Sequence, residues 1–141
     1  MSAAAGASPL KIIEPGRGEY SPGVCNIGTA EIARRRMAGH VALAVGVAVG
    51  VVLVASGAPH WTRLILFLPV AGSASGYLQA WLHFCAAFGS RGVYNFGPVG
   101  TQQQVADREA KARDRARSAR IGVAAVLIGA AVAVAAVLLP L

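Results

Sequence analysis

The chain has 141 residues, 55% of them hydrophobic and only 13% charged, with a formal net charge of +7. Three stretches without Asp, Glu, Lys or Arg, residues 37–62, 64–90 and 121–141, make up more than half of it. A soluble domain this small could not cover them, and nothing alternates like a barrel strand, so the expected fold is all-α and integral to a membrane, with three transmembrane helices.

In chain order, residues 1–28 are expected to form a cytoplasmic arm, largely irregular and rich in Ala, Gly, Ser and Pro. Thr29 can cap a helix that places Glu31 near its positive end and Arg34, Arg35 and Arg36 behind it. Residues 29–90 are predicted to form a two-span helical hairpin. At 100° per residue, Gly39, Gly46, Gly50 and Gly57 share one face of the first span. Gly72, Gly76, Gln79, His83 and Ser90 share a face of the second, opposite Tyr77, Trp81, Phe84 and Phe88. Small residues let membrane helices approach closely. The two glycine stripes are therefore expected to meet with Gln79 and His83 turned inward, leaving the aromatic face to lipid or a partner. Pro69 is expected to kink the second span.

Residues 91–101 read as a Gly-rich interfacial loop. Its Val93-Tyr94-Asn95-Phe96-Gly97 echoes Val24-Cys25-Asn26-Ile27-Gly28, which suggests a shared turn built on Asn and Gly. Residues 102–141 are predicted to form one basic helix running into the third span. Asp107 with Lys111 and Glu109 with Arg113 are i,i+4 pairs on it, and Val105, Ala112, Ala116, Ala119 and Val123 would line an apolar face.

The cations set the expected orientation. Lys11, Arg17, Arg34, Arg35, Arg36, Arg91, Arg108, Lys111, Arg113, Arg115, Arg117 and Arg120 fall on one side of the three spans, and Arg63 alone on the other. The positive-inside rule then puts the N-terminus in the cytoplasm and the C-terminus outside. The same residues, from Arg34 to Arg36 and from Lys111 to Arg120, are candidates for docking anionic headgroups of membrane lipids or a partner. Nucleic acid is not an expected partner, because these cations interleave with Asp107, Glu109 and Asp114 rather than with stacking aromatics.

Little in the chain suggests a reaction. Cys25 and Cys85 match no zinc spacing. Both would face the cytoplasm, where thiols stay reduced, and Arg34 to Arg36 would favour thiolate at Cys25. His40, Gln79 and His83 are the candidate intramembrane polar residues. No Ser/His/Asp set, paired carboxylates or phosphate loop is present, and no cofactor is expected.

Asn26 and Gly28, then Glu31, Arg35 and Gly39 opening an apolar helix, with Cys85, Phe88 and Gly92 closing the next, resemble the small YgaP-type membrane domain of bacteria. The resemblance covers residues 25–95. The chain has Ile32 where the family usually has Arg, and Ala86 where it usually has Pro. The resemblance implies a helical hairpin, often dimeric, in the bacterial inner membrane. Some members are joined to a rhodanese domain that moves sulfane sulfur; many stand alone. The expected role is a non-enzymatic accessory or scaffold subunit, partnered by other membrane subunits or by a second copy. The alternatives are a thiol-handling protein using Cys25 and Cys85, and an oligomeric channel or small-solute carrier.

Overall fold

The computed structural model describes residues 19–141. Lys11, Arg17 and most of the predicted irregular arm lie outside the described residues. Helix α1 spans Thr29–Ala55, a 3-10 helix at His60–Leu66 leads into α2 at Phe67–Leu82, and a short α3 spans Ala86–Arg91. Strands β1 (Val93–Tyr94) and β2 (Gln103–Gln104) pair antiparallel, and α4 runs from Arg108 to Leu138. Three helical segments, Thr29–Ala55, His60–Leu82 and Arg108–Leu138, are long and apolar enough to cross a membrane. The second packs against both others. Arg34 to Arg36 and Lys111 to Arg120 lie at one end of this bundle, its basic end.

Missing side chains let the helices approach. A Cβ on Gly76 would sit 2.7 Å from the Gly39 nitrogen and 2.9 Å from the Arg35 carbonyl oxygen. Ser73 Oγ donates to the Gly39 carbonyl at 3.1 Å, so the crossing is bonded as well as packed. Further along, Gly46 faces Pro69, Gly50 faces Leu66 and Gly72 faces Ala42. Gly57 has left the helix: it takes φ +67° in the turn after α1, with open space around it. On the other side of α2, Gly129 of α4 meets Ala71.

Several expectations are corrected. Gly28, not Thr29, is the N-cap of α1. Pro69 is the third residue of α2, just past the point where the 3-10 helix His60–Leu66 gives way to α-helix. Helix α4 starts at Arg108 rather than 102, because Asp107 caps it by accepting from Ala110 N at 2.9 Å. Val105 is buried in the preceding loop, where its nitrogen donates to the Gly92 carbonyl at 2.8 Å. The buried stripe of α4 is Ala110, Asp114, Ser118, Ile121, Ala125, Gly129 and Ala133. Ala112, Ala116, Ala119 and Val123 are exposed.

Arg63 is not a loop charge. It is 3% exposed, and its guanidinium donates to the carbonyls of Ala136 and Leu139 at 3.0 Å and of Leu141 at 2.7 Å. The last carbonyls of a helix carry partial negative charge and lack intrahelical donors. A cation from the neighbouring 3-10 helix supplies both needs and fastens the far end of α4.

Candidate functional site

The two echoing segments lie against each other at the basic end. Ile27 and Asn95 form a parallel bridge, in which Gly28 N donates to the Asn95 carbonyl at 2.9 Å and Asn95 N to the Asn26 carbonyl at 3.0 Å. Gly28 is required there: a Cβ would lie 2.9 Å from both Cα and the carbonyl oxygen of Phe96. Each asparagine then closes a different loop. Asn26 Nδ2 donates to the Cys85 carbonyl at 3.0 Å, and its Oδ1 accepts from Cys85 N at 2.6 Å. Asn95 Oδ1 accepts from Gly97 N at 2.9 Å and Thr101 Oγ1 at 3.0 Å, while its Nδ2 donates to the Pro98 carbonyl and to Glu31 Oε1. Both asparagines are essentially fully buried, so each bond stands in for hydration that the interior cannot provide.

The joint held by Asn26 is a break in the second span. Helix α2 ends where His83 turns left-handed at φ 53°. A non-glycine residue takes that conformation only when its surroundings hold it there, and Gln79 does much of the holding. Its carbonyl accepts from Phe84 N at 3.0 Å, and its side-chain Oε1 accepts from Ala86 N at 2.9 Å, the first turn of α3. Its Nε2 donates to the Ser75 hydroxyl and carbonyl. His83 is consequently exposed and not turned inward with Gln79, which alone is buried. The break also re-aims the aromatics. Phe84 and Phe88 are buried rather than presented to lipid or a partner. Phe84 lies beside Gly89, and Phe88 lies under the guanidinium groups of Arg35 and Arg91 at 5.9 and 5.5 Å from its centroid. Tyr77 packs its ring on Gly39 and meets His40 Nδ1 at 2.6 Å. Trp81 remains on the outer face.

Glu31 is the acid of this end. It is 1% exposed, bonded to Asn95, with Arg34 at 3.9 Å from its other oxygen. The segment from Tyr20 to Gly23 is fixed by a second buried acid, Asp114. Its two oxygens accept from Tyr20 OH and from Gly23 N, each at 2.7 Å. Burial, with the Asp114 bond second, raises the Tyr20 phenol above its ordinary range, so it keeps its proton and donates. Tyr20 also stacks on Tyr94 at 4.7 Å.

The thiols are not set up for attack. Cys85 is fully buried. Cys25 is half-buried, its Sγ donating weakly to the Ile27 carbonyl at 3.7 Å, and burial pushes its thiol up rather than down as the arginines suggested. Among the described residues no three His, Cys, Asp or Glu side chains gather as metal ligands. The basic residues divide by partner. Arg113 Nη2 donates to Glu109 Oε1 at 2.6 Å, and the Lys111 stem packs where a Cβ of Gly92 would be. Arg34, Arg36, Arg115 and Arg120 are exposed.

The site is therefore a clasp. Its polar side chains shape the local turns and also reach distant parts of the chain, Asn26 to Cys85, Asn95 to Glu31 and Asp114 to Tyr20 and Gly23, so that they join α1, α3, α4 and the segment 20–28. The repeated Val-x-Asn-x-Gly is its signal in the sequence. Tyr20 and Asp114 carry no such signal, because an acid among arginines reads as a solvated surface pair. No family model, curated protein or solved structure matches the chain.

Proposed function

We propose that this chain is a small structural subunit of a bacterial inner-membrane assembly, with its clasped, basic end in the cytoplasm. The observation that carries the reading is the division of labour between its two surfaces. Buried polar groups at the basic end hold backbone to backbone, which suits a rigid platform. The spans meanwhile leave large apolar side chains outward, among them Val45, Val51, Val52, Leu68 and Leu127. An apolar cleft of about 390 Å³ between α1 and α2, lined by Ala42, Val45, Val49, Ile65, Leu68 and Pro69, opens on that side. Such a surface suits another membrane helix, from a second copy or a different subunit. The placement in the cytoplasm rests on the cation asymmetry, and the bacterial assignment on the YgaP-type resemblance of residues 25–95.

A photo-reactive residue at Val45, irradiated in native membranes, tests the role. Cross-linking to one discrete chain, or to a second copy, is the expected result; recovery of the uncross-linked monomer alone refutes it. Val99→Cys, in a chain carrying Cys25→Ser, tests the orientation. An impermeant thiol reagent should label Val99→Cys only after the cells are opened.

A further inference from the structure

The clasp builds a two-part recess at the membrane surface. Asp114 draws Gly23 and Pro22 against α4, and the space between arm and helix, about 220 Å³, is lined by Pro22, Gly23, Arg113, Ala116, Arg117 and Arg120. Directly alongside is a groove of about 90 Å³ between α2 and α4, lined by Leu78, Leu82, Ile121 and Ala124 and by the same Arg117 and Arg120. One chamber is therefore cationic and the other apolar, and two arginines form the boundary between them. Arg113, Arg117 and Arg120 stand at i, i+4 and i+7, one face of the helix. Arg120 is also the last charge before the uncharged stretch 121–141. The neighbouring acids are already engaged: Glu109 takes Arg113, and Asp114 points to Tyr20 and Gly23. Among the described residues neither Arg117 nor Arg120 has a carboxylate partner, and Arg117 Nε is shielded from water with nothing to bond.

We infer that this recess binds one anionic phospholipid, its phosphate on Arg117 and Arg120 and the upper carbons of an acyl chain in the groove of Leu78, Leu82, Ile121 and Ala124. A guanidinium matches a phosphodiester in geometry and charge. The adjoining apolar groove selects a lipid over a free anion. A zwitterionic lipid brings its own cation into the basic chamber and is disfavoured. The inference rests on the membrane placement proposed above and not on the subunit role, so failure to cross-link a partner leaves it standing.

The test uses the full chain in maltoside micelles, with bound lipid counted by native mass spectrometry. Phosphatidylglycerol should be retained about tenfold more tightly than phosphatidylcholine, the scale of a charge-assisted contact. Arg120→Gln, at an exposed position that the fold does not need, should remove that preference. Ala124→Trp, which fills the groove, should weaken both lipids; Leu82→Ser serves the same purpose if the tryptophan variant does not fold. Excess inorganic phosphate should leave phosphatidylglycerol bound. Equal retention of the two lipids by the native chain overturns the inference, as does an undiminished preference in the folded Arg117→Gln/Arg120→Gln chain. Displacement by inorganic phosphate, with indifference to the groove variants, also overturns it and makes the arginines a site for free phosphate.

Discussion

Asn26 shows how much one side chain can decide in this chain. It satisfies both the N–H and the carbonyl of Cys85 at a helix break. Asn26→Ala leaves the buried Cys85 N–H without a partner, at about 1–3 kcal/mol, and leaves the Cys85 carbonyl with Gly89 N alone. Asn26→Asp should be worse, because it sets an acceptor against the Cys85 carbonyl. Thermal unfolding in detergent, followed by circular dichroism, checks both, and a midpoint unchanged by Asn26→Ala counts against the clasp. The Cys25 thiol gives a pH-dependent prediction. Burial holds it above its ordinary value, so the fold favours the neutral form. That contribution is complete below the unfolded value and is lost as pH rises through the folded one. Alkylation of Cys25 in the folded protein should accordingly need a higher pH than alkylation of a free cysteine, while Cys85 reacts only on unfolding. A Cys25 profile shifted to lower pH would restore the thiolate reading. The echo around Asn26 and Asn95 is legible in the sequence. Which backbone each asparagine reaches is not, because Cys85 lies 59 residues away and local pattern carries no information on that pairing.

Among the elements, the close crossing of α1 and α2 is the most sensitive to change. Gly76→Ala puts a carbon 2.7 Å from the Gly39 nitrogen and has only backbone to push against. It should destabilise by about 1–3 kcal/mol or force the helices apart. Gly122→Ala on α4 meets nothing within 4 Å and should be neutral or stabilising by up to about 1 kcal/mol. Comparing their thermal midpoints separates packing from helix propensity. The spans themselves are easily read from uncharged length. Where a span ends is harder, and His83 shows why. A helical wheel run from 64 to 90 assumes unbroken geometry, yet Gln79 ends α2 with its carbonyl and starts α3 with its side chain. Past that point every residue changes face, which is how Phe84 and Phe88 come to be buried. The start of α4 is hard to read for a similar reason, since a polar run hides a two-residue ladder and Asp107 sets the true boundary.

For the whole molecule, the two ends are fastened differently. The basic end is held by asparagines, buried acids and a short bridge between distant segments; the far end is held by Arg63 on the carbonyls of Ala136, Leu139 and Leu141, at and just beyond the end of α4. Arg63→Gln removes the cation from that helix end. Bonds to a charged group contribute about 1.5–3 kcal/mol, so residues 136–141 should exchange amide hydrogens faster while the basic end stays protected. Equal loss of protection at both ends would mean that Arg63 supports the whole bundle rather than one terminus. Sequence reading treats this arginine as the lone exception to a charge rule. Its fixed, bonded position gives it a structural task that needs no exposure to solvent.

The link from Tyr20 and Gly23 to Asp114 has a consequence for how the chain is made. Gly23 and its acceptor are separated by 91 positions, so the earliest described segment leaves the ribosome long before the residue that seats it. Until α4 is synthesised, that segment has no Asp114 to hold it. Nascent chains arrested before Asp114 should therefore be cut by proteases between Tyr20 and Gly23, and released chains that include Asp114 should resist cutting there.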